Sequence, residues 1–217
     1  MENILKTIND FNNWNKEHKK KINFVPTMGN LHSGHRFLIE YASSLNRNKT
    51  IVSIFVNPFQ FDNLEDFKNY PQSIQEDIDN SFDSGADAIF IPNHSEIFPD
   101  NNDNISLKAS QKLSSRLCGV KRIGHFDGVC TVVYRLLSIL NPQIMILGEK
   151  DWQQILILKE MIKEKKIKTR IETLPTKREL DGVPYSSRNI HLSYEERKKI
   201  QFFSKALLNE KKNYKQS

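Results

Sequence analysis

Short apolar runs separated by helix-patterned stretches recur along this chain, and that alternation leaves few folds open. Ile22 to Pro26, TIVSIFV (Thr50 to Val56), ADAIFIP (Ala86 to Pro92), QIMILG (Gln143 to Gly148) and TRIETLP (Thr169 to Pro175) are rich in β-branched and aliphatic residues. Near-continuous apolarity of this kind marks strands covered on both faces. Between them, residues 34–46, 72–84, 128–140 and 151–165 carry helical spacing, and residues 2–18 read as a leading amphipathic helix with Ile4, Leu5, Ile8 and Phe11 on one face. Residues 93–104 read as loop. Strands joined through helices imply right-handed crossovers and an α/β fold with a doubly wound, mostly parallel Rossmann-like sheet. Ligands of such sheets bind beyond the carboxyl ends of the strands. The stretches 26–30, 57–61, 92–94, 148–151 and 175–178 should therefore meet at one edge.

Those stretches hold the chemistry. PTMGNLHSGH (Pro26 to His35) runs from a strand through glycine into a helix start. A helix N-terminus offers unpaired N–H groups and a positive dipole end to an anion. Gly29 and Gly34 allow close backbone approach, and His32 and His35 project from one side of the first turn as phosphate-directed donors. NPFQF places the amides of Asn57 and Gln60 between the rings of Phe59 and Phe61, a setting for a small hydroxylated substrate. RIGHFDGV puts Arg122 and His125 ahead of a buried helix. In LGEKDWQQ, a helix start decorated with acids explains Glu149 and Asp151 but not Lys150, which the dipole disfavours; Gln154 lies one turn along from Asp151. Ser186, Ser187 and Arg188 could clamp phosphate from a loop that begins near the Asp181-Gly182 turn. Singly, each also reads as an ordinary turn, cap or packed aromatic. Together they describe an ATP site built without a Walker loop, which this chain lacks.

Composition narrows the partners. A net charge of +6 favours anionic small molecules but is too diffuse to argue for nucleic acid. Cys118 and Cys130 have no zinc spacing, and no metal site is expected of the chain itself. No secretory signal opens the sequence and no run approaches a membrane span, so a cytoplasmic setting is expected.

PTMGNLHSGH, SIFVNPFQF, YPQSIQEDI, GHFDGV, GEKDWQQ and DGVPYSSRN, in this order, resemble the pantothenate synthetase (pantoate–β-alanine ligase) family, from about Asn23 to Leu192. That family lies in the HIGH-motif nucleotidyltransferase superfamily, with His32 to His35 standing for HIGH. The resemblance implies AMP-forming ligation of pantoate and β-alanine through pantoyl adenylate, with ATP as cosubstrate, Mg²⁺, and a homodimer. It implies that Met28, Gly29, Asn30, Leu31, His32, Ser33, Gly34 and His35 line the ATP site. Gly148, Glu149, Lys150, Asp151, Lys177, Tyr185, Ser186, Ser187 and Arg188 join them, with Arg122 and His125 on the phosphate side. His32, His35, Lys150, Ser186, Ser187 and Arg188 take the catalytic roles, His35 as proton donor, while Gln60, Gln154 and Asn57 hold pantoate and β-alanine. Two departures stand out: Asp127 replaces a common Arg, reversing a charge near the nucleotide, and Pro184 replaces a usual Ala. Family members also usually continue further. Residues 1–176 thus read as the ATP- and pantoate-binding domain and 177–217 as a shortened lid segment, with a nucleotide-binding, catalytically impaired protein as the alternative.

Overall fold

The computed structural model describes residues 3–45, 47–99 and 107–214. Its elements, in chain order, are β1 (Ile4–Leu5), α1 (Ile8–His18), β2 (Ile22–Thr27), α2 (Ser33–Ser44), β3 (Lys49–Ile54), α3 (Leu64–Lys68), α4 (Ile74–Asp83) and β4 (Ala88–Phe90). They continue through α5 (His94–Ile97), α6 (Gln111–Ser114), α7 (His125–Leu140), β5 (Ile144–Gly148), α8 (Trp152–Glu164), β6 (Arg170–Leu174) and α9 (Tyr194–Tyr214). The strands form one sheet in the order β1-β4-β3-β2-β5-β6, and every pairing is parallel. The doubly wound sheet expected from the apolar runs is therefore present.

Strand periodicity sorts the core into two layers. Phe24, Ile51 and Met145 face α1, α7 and α8, against Phe11, Trp14, Val129, Leu136, Ile155 and Leu158. Their neighbours Val25, Val52, Ile144 and Ile146 face α2, against Leu38, Ile39 and Ala42. The strand order runs outward in one direction from β2 to β4 and in the other from β5 to β6, so the crevice of a parallel sheet opens between β2 and β5.

Three expectations need correction. The expected leading helix gives way first to a strand: Ile4 and Leu5 pair with Ile89 and Phe90 at the sheet edge. Helix starts only after Thr7, whose hydroxyl accepts from Asp10 N while Asp10 Oδ2 accepts from Thr7 N, a reciprocal cap stronger than the apolar pattern before it. The 93–104 stretch contains the helical turn α5, and its residues 100–104 lie outside the described residues. The buried helix begins at His125 rather than 128, so His125 sits in its first turn, entered through Gly124 at φ 79°.

The segment 177–189 folds back on itself. Arg178 and Pro184 form an antiparallel bridge around a turn at Gly182, φ 90°. Arg197 of α9 fastens this turn, donating to Glu179 Oε2 at 2.8 Å and Asp181 Oδ2 at 2.6 Å.

Candidate active site

The loop after β2 carries the His-x-Gly-His segment and is held by a carboxylate that sequence reading passed over. Gly29 and Asn30 both take positive φ, 83° and 49°. This turns two backbone N–H groups inward: Asn30 N and Leu31 N donate to Asp77 Oδ2 and Oδ1 at 2.8 and 2.6 Å. Asp77, on α4, is almost wholly buried. A Cβ on Gly29 would stand 2.9 Å from Asp77 Oδ2, so only glycine fits both the angle and the space. YPQSIQEDI contains Asp77 among other acids, and nothing in that string separates a buried carboxylate from solvated ones.

His32 caps α2. Gly34 N donates to His32 Nδ1 at 3.1 Å, and His32 N donates to His35 Nδ1 at 3.4 Å. A backbone N–H can only donate, so both Nδ1 atoms are acceptors and both rings carry hydrogen on Nε2. The rings stack at 4.0 Å and 17°. A Cβ on Gly34 would meet His32 Cε1 at 2.9 Å, so this glycine admits the His32 ring over the helix start. Burial, then nearby Lys150, pulls the His32 pKa down to about 4. Burial, then His32 and Lys150, pushes His35 well below the usual imidazole value. The pair is therefore neutral at pH 7, presenting two Nε2–H donors rather than an imidazolium acid.

Opposite them lies the 3₁₀ turn Pro58–Gln60. Asn57, expected at the substrate, is fully buried behind this turn. Its Nδ2 donates to Gln60 Oε1 at 3.2 Å and Gly128 O at 3.1 Å, so it braces Gln60 instead of facing the cleft. Gln60 Nε2 reaches Met28 Sδ at 2.9 Å. His125 Nδ1–H donates to Gln60 O at 2.6 Å, while Arg122 Nη1 donates to His125 Nε2 at 3.0 Å. Burial lowers the His125 pKa, so this ring is neutral in the opposite tautomer from the His32–His35 pair.

The third wall follows β5. Lys150, Asp151 and Gln154 line the cleft, whereas Glu149 turns away and accepts from Thr173 Oγ1 at 3.3 Å. The fourth is the 177–188 segment. Ser187 Oγ donates to Asn30 O at 3.0 Å, seating the Ser-Ser-Arg run on the β2 loop. Tyr185 stacks on His32 with ring centroids 5.9 Å apart, and Lys177 Nζ lies 5.1 Å from the Phe37 ring centroid.

These walls enclose two adjoining cavities. One, of about 220 Å³, is lined by Met28, Gln60, Tyr70, Arg122, His125 and Ser186 to Arg188, with an apolar floor including Val129, Val133 and Leu158. The other, of about 130 Å³, is lined by Gly34, Gly148, Lys177 and Tyr185. His32, His35, Lys150, Asp151 and Gln154 border both. Gly29, Asn30, Leu31, Ser33, Glu149 and Asn57 line neither. The 92–94 stretch is also absent, because β4 lies two strands away from the crevice. Asp127 is a further correction: its carboxylate pairs with Lys108 Nζ at 2.9 Å and accepts from Ala109 N at 2.8 Å, and it borders neither cavity. Among the described residues no group of three or more His, Cys, Asp and Glu could hold a metal ion, and no helix is long and apolar enough to cross a membrane.

A parallel sheet with His-x-Gly-His at the helix start beside its switch point defines the HIGH-motif nucleotidyltransferase class. The sequence profile of the Pantoate-beta-alanine ligase family matches residues 3–217, and the chain belongs to that family. It is 56% identical over 211 residues to the bifunctional pantoate ligase/cytidylate kinase of Prochlorococcus marinus strain AS9601, covering 97% of this chain and 42% of that protein. The chain thus spans less than half the length of such curated relatives. Among solved structures it resembles the pantothenate synthetase of Thermus thermophilus, with TM-score 0.87, 36% identity and coverage of 95% of this chain and 73% of that one. It also resembles the pantoate-beta-alanine ligase of Francisella tularensis, complexed with beta-gamma ATP and beta-alanine. There the TM-score is 0.88, with 39% identity and coverage of 94% and 78%.

Proposed function

We propose that this chain joins pantoate to β-alanine using ATP. In the first step a pantoate carboxylate oxygen bonds to the α-phosphorus, the bond to the β-phosphate breaks, and pyrophosphate leaves. In the second, the neutral amine of β-alanine bonds to the acyl carbon, the bond to the AMP oxygen breaks, and the amine proton passes to solvent. Pantothenate and AMP are the products.

One observation carries this reading: the neutral, stacked His32–His35 pair stands on the wall between the two cavities with Lys150 and Gln154. A nucleoside in the smaller cavity and a carboxylate in the larger would meet there. The two Nε2–H donors and the Lys150 ammonium would stabilise charge on the phosphoryl oxygens of a pentavalent transition state without moving a proton. Gln60 and Gln154 would orient the pantoate, and the apolar floor would take its carbon skeleton. Ser186, Ser187 and Arg188 would close on phosphate. Both steps need alignment more than a strong base, and enclosure protects the mixed anhydride from water.

The described residues make no cage for a resident metal, and Asp151 is the only carboxylate among the described lining residues. Mg²⁺ therefore belongs to the reading as an ion carried on the ATP phosphates, neutralising their charge. The proposal extends to a homodimer, to a cytoplasmic setting, and to residues 177–217 as the lid side of the cleft.

ATP–pyrophosphate exchange tests it. Exchange should require pantoate and Mg²⁺ and proceed without β-alanine. Exchange at background level with saturating ATP and pantoate refutes ligation. ATP binding under those conditions would leave a nucleotide-binding protein only.

A further inference from the structure

Arg188 and Arg122 both border the larger cavity, and each is held by an aspartate from one short stretch of chain, FDNLEDF. Asp66, in α3, takes Arg188 by a two-pronged contact: Nε to Oδ1 at 3.1 Å and Nη2 to Oδ2 at 2.8 Å. Just ahead of α3, Asp62 Oδ1 accepts from Arg122 Nε at 3.1 Å. Nothing in the motif reading assigned either acid, because FDNLEDF looks like a polar loop running into an acid-rich helix start.

The geometry decides between two roles for Asp66. A carboxylate across from a phosphate-seeking arginine can be a competitor that must be displaced, or a brace that fixes the guanidinium in advance. Asp66 occupies one edge of the fork, leaving both Nη1 hydrogens and the second Nη2 hydrogen for another acceptor. The guanidinium carbon lies 5.4 Å from the Tyr70 ring centroid and 5.9 Å from that of Phe61. Tyr70 is itself buried, and Phe61 packs edge-on against it with centroids 5.6 Å apart. The backbone is set as well: Arg188 N donates to Ser186 Oγ at 3.3 Å, and Ser187 Oγ is bonded to Asn30 O. An arginine held by aromatic rings, main chain and a two-pronged carboxylate gives up part of its rotamer freedom before any ligand arrives, although its side chain is 45% exposed.

We propose that Asp66 is a positioning residue that preorganises Arg188 for the triphosphate of ATP, and that Asp62 serves Arg122 in the same way. The identity of the ligand rests on the ligase reading above; the brace itself does not. Asp66 touches neither phosphate nor reacting atoms in this scheme and acts only through Arg188.

The test compares wild type, Asp66→Asn, Arg188→Ala and the double variant. ATP affinity is measured by calorimetry, and KM values by pantoate-dependent exchange. The Asp66 side chain is 35% exposed on a short helix, so the isosteric amide keeps the fold, which a melting curve checks. Asp66→Asn should weaken ATP binding and raise KM for ATP by about tenfold, the scale for losing a preorganised contact, with KM for pantoate unchanged. On the Arg188→Ala background the same change should add nothing. Unchanged or tighter ATP binding by Asp66→Asn overturns the proposal and makes Asp66 a competitor or a bystander. An equal further loss on the Arg188→Ala background also overturns it, because the effect then bypasses Arg188. ATP binding by the wild type without exchange refutes the ligase reading while calorimetry still decides the role of Asp66. No ATP binding by the wild type overturns both.

Discussion

Gly128→Ala is a substitution for which local propensity and tertiary packing predict opposite signs. Gly128 lies in the interior of α7, where alanine should stabilise the helix by about 1 kcal/mol. In this fold, however, an added Cβ would stand 2.1 Å from Phe59 O, 2.4 Å from Phe59 C and 2.8 Å from Gln60 N. These are backbone atoms, so no rotamer change relieves the clash. The 58–60 turn has to move away by roughly 1 Å, an overpacking strain of about 1–3 kcal/mol. That movement also pulls on the Asn57 Nδ2 to Gly128 O bond and the His125 Nδ1 to Gln60 O bond. Each contributes about 1 kcal/mol. Against the helix gain, the net destabilisation is about 2–4 kcal/mol. At about 2–4 °C per kcal/mol for a chain of this size, the melting temperature should fall by about 4–16 °C. Thermal melts followed by circular dichroism measure it. Because Gln60 rides on the displaced turn, KM for pantoate in the exchange assay should rise in the same variant. A Gly128→Ala protein that melts at or above the wild type would show that propensity outweighs the contact, and the packing of α7 on the 58–60 turn would be wrong.

Two further outcomes follow from the histidine pair. His35→Ala should lower pantoate-dependent exchange by roughly a hundredfold, the scale for losing one transition-state donor, and a near-wild-type rate would remove His35 from that role. Acid should weaken the fold in a defined window. In the unfolded chain these imidazoles bind protons below the ordinary 6.5, whereas folded His32 resists until about 4 and burial holds His35 well below 6.5 too. The unfolded state holds more protons across that interval, so stability should climb as pH rises from about 4 to 6.5 and level off above it. Melts across the interval check the sign. Exchange rates that decline as pH rises above 6.5 would contradict neutral donors and restore an imidazolium acid.

Much of the architecture was readable because parallel strands must be apolar on both faces, and Val25, Val52 and Ile146 say so without help. β1 was not, because two residues, Ile4 and Leu5, become a strand only by pairing with β4. The cleft was legible where chemistry and strand ends coincide, as at His32, His35, Lys150 and Gln154. It was illegible where a polar residue works from behind. Asn57 has the composition of a ligand-binding amide but is sealed under the wall it supports, and Asp77 and Asp66 resemble ordinary helix-start acids. Spacing cannot tell which way such side chains turn, since their partners are backbone amides and arginines far away in sequence. Asp127 shows the converse: its charge matters only if it faces the cleft, and Lys108 and Ala109 draw it elsewhere.

The pairing of β2 with β5 should come late in the assembly of this molecule. β2 meets β3 through a short local crossover, Ile22 opposite Lys49, but meets β5 only when Asn23 finds Ile144. Chain closure over the longer separation loses more entropy and is slower. The β2 loop, α2 and β3 can therefore form early, whereas the Lys150 wall arrives with the last major pairing. A partly folded chain lacking that pairing would have His32 and His35 but only half a cleft. Recovery of ATP binding during refolding should then lag behind recovery of helix.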